Sequence, residues 1–459
     1  MRTIAAFVLA GVLVFAAPAA HGRAADGAAT HGGFLADGAR YLIDIPPAWN
    51  GTLLLYSHGY ITRGTESGVT DAPDARTKDW LLQHGFALAA SSYAAQGWAV
   101  AEALADQIDV LDRFDQLSDS RPRRTIAWGH SMGGLISAAL VEHNPARFSG
   151  ALPMCGVLAG TAPFLSTRLD LLYAFTTLLA PEAALPVARI ADPQAAGNVA
   201  LDLLERAQTT PAGRARIALA ATLAGIPEWY GRAAPEPAAG DLDARELAQY
   251  YWLKTVGVSV FSFDIAAELE MRAGGLPFTN AGVDYAQIFE RAPGRASVRA
   301  QYARAGLNLA SDLRALAAGS RIDATDAAAR YAHRFADLSG RVTVPVLTMH
   351  TVGDGLVPAD NETAYAAAAA AAGSAAYVRE LFVHRSSHCG FTPAETLAAL
   401  QALLARIDGG RWDARQSPAR LNDAAAAFGP DLNRFGGQSG GSATTPPAFI
   451  PFDPPPFTR

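Results

Sequence analysis

The chain has 459 residues, 50% of them hydrophobic and only 17% charged, enough to bury a sizeable core as one large domain with an insertion or as two domains. Its formal net charge is −6 and no block of five or more basic residues occurs, which excludes nucleic acid as the expected partner. The acidity is mild and spread out, so charge alone selects no partner.

The amino terminus opens with Arg2, an apolar run over residues 4–17 and the small-residue stretch Ala17-Pro18-Ala19. This order predicts a secretory signal peptide cut near Ala19, with Ala24 as the second choice. The run is too short to span a bilayer, which takes about 20 apolar residues, so no stable membrane span is expected. Export to the periplasm or the medium follows. In such an oxidising compartment Cys155 and Cys389, the two cysteines of the chain, permit one disulfide; two buried free thiols are the alternative.

Residues 20–38 are rich in Ala and Gly and read as a loose leader. Residues 41–45 read as a strand, and the apolar runs at 52–56, 86–90, 125–128, around Leu152, and at 344–349 as strands covered on both faces. Residues 377–383 alternate enough to lie nearer a sheet edge. Between them, Leu104, Ile108, Leu111 and Phe114 recur at helical spacing, with Glu102, Asp106, Asp109 and Asp112 opposite. A second helix over 135–141 stops at Asn144-Pro145. A third opens with the capping box Thr392-Pro393-Ala394-Glu395 and runs to about Ile407. Strands alternating with helices predict an α/β fold with a mostly parallel central sheet flanked by helices.

The alternation breaks between Gly156 and Arg341, where Ala- and Leu-rich helical patterns are cut by Gly and Pro. The expected organisation is a signal peptide and leader at 1–24, a core at 25–156, a helical cap insertion at 157–340, the rest of the core at 341–410, and a Gly/Pro-rich arm at 411–459. That arm should be extended on the surface or without structure.

One corner of the core carries chemistry. The strand at 125–128 runs into Gly129-His130-Ser131-Met132-Gly133, with Gly134 behind it and a helix following. This is the strand-to-helix context of a nucleophile elbow, with Ser131 as nucleophile. A hydroxyl needs a base, which belongs in a loop past a late strand; His388 and His384 qualify, and His388 lies farther into that loop. The acid that orients the imidazole is placed at Asp354, flanked by Gly353 and Gly355, with Asp360 as fallback. Oxyanion donors are expected from the N–H of Met132 and from the turn His58-Gly59-Tyr60, either Gly59 or Tyr60.

With Ser131, Asp354 and His388 in that order and the His-Gly turn upstream, the chain resembles the α/β-hydrolase superfamily over residues 40–156 and 341–408. The resemblance implies hydrolysis through an acyl-enzyme with no metal and no organic cofactor, and puts the insertion where such enzymes carry a lid. Independently, the chain lacks HExxH, a phosphate loop and a dinucleotide fingerprint. His388-Cys389 further resembles the feruloyl esterase and tannase group, in which that cysteine is bridged to one before the serine. Here the residue before Ser131 is His130, so the pairing implied by the resemblance is Cys155–Cys389, and the feruloyl or galloyl substrate is not carried over.

Tyr93 and Trp98, after the strand at 86–90, are expected on the pocket rim. Trp229-Tyr230 and Tyr250-Tyr251-Trp252 either wall the substrate site or form the cap's own core. No acidic or basic cluster marks these segments, so a neutral ester, small or polymeric, is the expected substrate. The function read from the chain is a secreted serine hydrolase of carboxylic esters. Alternatives are a peptidase or amidase of prolyl-oligopeptidase type, an acyltransferase, and a non-catalytic binding protein. No blade-length repeat of a propeller is present.

Overall fold

The computed structural model describes residues 27–65, 68–183, 185–435 and 444–459; the predicted signal peptide lies outside them. Among the described residues nine strands form one sheet: β1 (Ala29–Phe34), β2 (Arg40–Ile45), β3 (Thr52–Ser57), β4 (Ala87–Ser91), β5 (Arg124–His130), β6 (Gly150–Met154), β7 (Val346–Thr351), β8 (Val378–Val383) and β9 (Phe449–Ile450). Their order is β1-β2-β4-β3-β5-β6-β7-β8-β9. From β4 to β8 every neighbouring pair is parallel, while β1, β2 and β9 add antiparallel at the edges.

The parallel strands read as continuous apolar runs because both their faces are buried. Leu53, Leu55, Ala87 and Ala89 point into one layer, and Leu54, Tyr56, Leu88 and Ala90 into the other. Helices α1 (Ala75–Gln83), α2 (Val100–Leu117) and α3 (Met132–His143) follow the early strands; α13 (Asp360–Ala371), α14 (Pro393–Gly409) and α15 (Pro418–Ala427) come with the late ones. The capping box of α14 forms as expected, the Thr392 hydroxyl accepting from the Glu395 amide and the Glu395 carboxylate from the Thr392 amide.

Between β6 and β7 the described residues hold helices and no strand. These are α4 (Thr161–Leu179), α5 (Pro193–Gln208), α6 (Pro211–Leu223), α7 (Leu242–Trp252), α8 (Val260–Ala273), α9 (Tyr285–Arg291), α10 (Arg295–Ala305), α11 (Leu309–Ala318) and α12 (Asp326–Ala336). The segment is cut into short helices because polar caps restart it. Asp192, Thr210, Asp241, Asp284 and Asn308 each accept first-turn amides of the helix they open. Among the described residues no helix is long and apolar enough to cross a membrane.

Two expectations need correction. Within 20–38, residues 29–34 are not loose: they pair with β2 along their whole length, a register set by backbone bonds rather than burial, for Phe34 itself is exposed. Nor is the arm at 411–459 merely extended. It contributes α15 against α14, pairs β9 with the free edge of β8, and returns to the cap. There Arg459 binds Asp170 of α4 at 2.6 Å and donates to the carbonyls of Ser166 and Thr279. Composition misses this because the contacts that pin the arm are long-range.

The Asp170 side chain is only 2% exposed and burial raises its pKa, with Arg459 opposing that rise. Arg459→Ala should therefore cost about 3 kcal/mol in denaturant unfolding by stranding a buried carboxylate, and adding Asp170→Asn should recover part of it.

Candidate active site

Ser131 caps the N-terminus of α3 at φ 59° and ψ −124°, a left-handed conformation that a residue with a Cβ rarely adopts. Strain of this kind costs about 1–3 kcal/mol and turns the hydroxyl away from both strand and helix. Packing around the corner enforces it. A Cβ on Gly133 would stand 1.9 Å from the Ser57 carbonyl oxygen, and one on Gly129 2.4 Å from the same atom. Gly134 also lies close to Gly156, its would-be Cβ 2.7 Å from the Gly156 Cα. The glycines of the motif are thus required by the approach of β3 and β6. The Ser131 amide donates to the Met154 carbonyl at 3.0 Å, locking the corner to β6.

His388 lies in the loop between β8 and α14. Its Nε2 is 2.9 Å from Ser131 Oγ and its Nδ1 2.7 Å from Asp354 Oδ2. Asp354 follows β7, fully buried, and its other oxygen accepts the amides of Leu356 and Val357 at 2.9 Å each. The two glycines flanking it have separate causes. A Cβ on Gly353 would meet the Ser386 Cα at 2.9 Å, and one on Gly355 would sit 2.2 Å from the Trp252 ring of the cap. The acid is pinched between the histidine loop and α7. A Cys155–Cys389 disulfide ties that loop to the residue after β6. Cys155, His388 and Cys389 place their donor atoms within 4.8 Å of one another, yet both sulfurs are bonded to each other and offer no thiolate to a metal.

Behind the acid lies a buried histidine–glutamate pair that the sequence reading missed. His350, wholly buried, puts Nδ1 at 2.8 Å from Glu362 Oε1 and Nε2 at 2.8 Å from the Val357 carbonyl. Burial opposes its charge, but the Glu362 carboxylate and Asp354, 3.8 Å away, outweigh burial and raise its pKa. His384 is not in the site: it is 43% exposed and bonds Glu236. Asp360, the fallback acid, sits buried at the start of α13 with no bond to His388, and burial pushes its carboxyl up to about 7.

Gly59 and Tyr60 border the serine. A Cβ on Gly59 would lie 3.3 Å from that of Ser131, and Tyr60 lines the same cavity as Ser131. The Met132 amide is in the first turn of α3, where no intrahelical acceptor exists. The cavity is narrow, about 40 Å³, under walls that include Trp98, Phe164, Leu165, Leu169, Phe261 and Phe278. Trp98 is thus one of the lining side chains. Tyr93 is not: its ring stacks on His58 at 3.9 Å and its hydroxyl donates to the His58 carbonyl, so it props the turn from beneath. Trp229, Tyr250 and Trp252 are buried, Trp252 against Gly355 of the acid's loop and with its Nε1 bonded to the Trp229 carbonyl.

A model of the prolyl oligopeptidase family matches residues 94–181, the stretch holding β5, the corner and α3. The sheet order and the serine corner give this chain the α/β-hydrolase fold. The chain is 28% identical over 424 residues to the o-phthalyl amidase of Xanthobacter agilis, covering 86% of this chain and 90% of that protein. It is also similar to an esterase from Aspergillus oryzae, with TM-score 0.39 and 13% identity over 84% of this chain and 80% of that one. Against the acylaminoacyl peptidase of Pyrococcus horikoshii the TM-score is 0.39 at 8% identity, over 87% of this chain and 41% of the peptidase.

Two outcomes follow from the packing and the buried charge. Gly133→Ala should lose about 3 kcal/mol or more in equilibrium unfolding, since its Cβ meets backbone rather than a yielding side chain. For His350, a raised imidazole pKa contributes stability in full below its unfolded value of about 6.5 and loses it as pH climbs through the folded value. The Tm gap between the native protein and His350→Gln should therefore be widest near about pH 6 and narrow toward about pH 9.

Proposed function

We propose that this hydrolase is exported and cleaves carboxylic esters through a covalent acyl-enzyme, with Ser131 as nucleophile, His388 as general base and Asp354 as its orienting acid. The observation that carries the reading is the unbroken chain of bonds from Asp354 through both nitrogens of His388 to Ser131 Oγ, at 2.7 and 2.9 Å. It ends on a strained corner that opens into an apolar cavity. Export is supported by the disulfide, a bond that persists in oxidising compartments.

In the first step Ser131 Oγ attacks the carbonyl carbon while His388 Nε2 takes the hydroxyl proton. The negative charge on the carbonyl oxygen is met by the amides of Met132 and of Tyr60 or Gly59, each such donor worth about 3 kcal/mol of barrier. His388 then returns the proton to the departing alcohol, and Asp354 steadies the imidazolium between the two events. Water, activated by the same imidazole, releases the acid and restores the serine.

A second reading, amide cleavage, is favoured by the similarity to an o-phthalyl amidase over most of both chains. The same relay serves it, with protonation of the leaving nitrogen by His388 as the added demand. The two readings separate in one experiment, a panel of aryl esters and matching anilides assayed with the native protein and Ser131→Ala. Native turnover of esters above anilides is expected, and Ser131→Ala should lower kcat by about 10⁴-fold or more and abolish fluorophosphonate labelling. Labelling that persists in Ser131→Ala would remove the serine from its role.

A further inference from the structure

We propose that Asp264, on cap helix α8, is a positioning residue for the reaction: through the Tyr60 hydroxyl it holds the Tyr60 amide where the substrate's carbonyl oxygen becomes negative. The role rests on Ser131 being the nucleophile, and it makes the cap a working part of the oxyanion site as well as its roof.

The turn His58-Gly59-Tyr60 leaves its donors free. Among the described residues neither the Gly59 nor the Tyr60 amide donates to a backbone carbonyl, so both are available and neither is fixed by a bond of its own. A donor serves an oxyanion only when it is held at bonding distance from the place where charge develops. Side chains do the holding. On the core side the Tyr93 hydroxyl donates to the His58 carbonyl at 3.1 Å, and His58 Nδ1 lies 2.7 Å from the Gly59 carbonyl. Those bonds stop at Gly59. Tyr60 is held from the cap: its hydroxyl donates to Asp264 Oδ2 at 3.1 Å, and its ring meets that of Phe261 edge-on at 5.4 Å. Burial and then the Asp264 charge raise the Tyr60 pKa, so the hydroxyl keeps its proton and stays a donor. Asp264 is itself set against Arg63, at 3.9 Å, with its side chain 21% exposed.

Asp264 does not act from a loose element. Asp264, Glu268 and Arg272 recur every four residues along one face of α8. Glu268 is fully buried; its carboxylate accepts the Trp98 amide at 3.0 Å and Arg272 Nε at 2.8 Å. Arg272 donates onward to the Gln96 carbonyl at 2.9 Å. Gly97 permits this approach, since a Cβ there would stand 2.5 Å from the Glu268 carboxyl carbon. The Gly97 amide in turn donates to the Ile61 carbonyl at 2.9 Å. One helix face therefore grips the loop after β4 through Glu268 and Arg272 and the loop after β3 through Asp264, and the two loops are bonded to each other. On the same helix Phe261, Ile265 and Ala266 line the cavity. A substrate seated against that wall touches the helix that sets the oxyanion donor.

The test measures 4-nitrophenyl acetate turnover per active site, titrated with a fluorophosphonate so that unfolded protein does not count. Asp264→Ala should lower kcat by about tenfold while KM changes by less than about threefold, the mark of a bond that matters in the transition state. Asp264→Asn keeps an acceptor oxygen and should restore kcat to within about threefold of native. Tyr60→Phe should reproduce the Asp264→Ala loss, and the double variant should add nothing further, because both changes remove one bond. With trifluoroacetophenone, Ser131 Oγ adds to the carbonyl carbon, the hydroxyl proton passes to His388 and the carbonyl electron pair becomes an oxyanion. Its affinity should fall about tenfold in Asp264→Ala. Native kcat in Asp264→Ala, a loss confined to KM, no rescue by Asp264→Asn, or additive losses in the double variant would overturn the proposal while leaving the serine in place. Turnover retained by Ser131→Ala would sink the nucleophile assignment, and this role with it.

Discussion

One imidazole governs the layout of this molecule. His388 makes a bond from each edge of its ring, to Asp354 and to Ser131, and both are under 3 Å long. Hydrogen bonds weaken quickly with stretch and bend, so the three loops carrying these groups can drift only by tenths of an ångström before the relay opens. Side-chain packing alone rarely fixes a loop that tightly. Here it is done by bringing backbone against backbone at the serine corner, through Gly129, Gly133 and Gly134. At the acid, backbone meets the histidine loop at Gly353 and a cap tryptophan at Gly355.

The same constraint explains where strain collects. Of the five non-glycine residues with positive φ among the described residues, four surround the site: Ser131 itself, Tyr93 beneath the His58 turn, and Cys155 and Cys389 at the two ends of the disulfide. Each costs free energy locally, and each is held because its neighbours leave it no room to relax. The cap takes part in this rather than only covering it. Trp252 presses on Gly355, while the hydroxyl of Ser386 and the indole N–H of Trp252 converge on the Trp229 carbonyl. Movement of the cap would therefore be felt at Asp354.

What the chain disclosed in advance was whatever depends on local pattern. Doubly buried strands appear as apolar runs, the Thr392 box announces α14, and the glycine-flanked Ser131 and Asp354 stand out at strand ends. Features settled by distant partners stayed hidden. β1 has no apolar stripe, since pairing with β2 rather than burial defines it. The arm reads as Gly and Pro, and only the free edge of β8 gives Phe449 and Ile450 a place. His350 looks like any strand histidine until Glu362, a turn into α13, closes on it. Strand ends face the pocket, which by pattern puts Tyr93 on the rim, but its left-handed backbone turns the ring against His58 instead.

The partners of Arg168 and Asp170 were hidden for a different reason, and there a usable signal existed. The helix TAPFLSTRLDLLYAFTTLL is apolar on nearly every side, which marks it as buried all round. Charges on such a helix cannot be left to water, so Arg168 and Asp170 each require a partner. Asp170 finds two, Tyr285 and Arg459, the latter delivered by the arm. Arg168 receives only backbone carbonyls, which accept hydrogen bonds but carry no balancing charge. Of the two charges on one buried helix, Asp170 is neutralised by the chain itself, while Arg168 is met by main-chain dipoles alone.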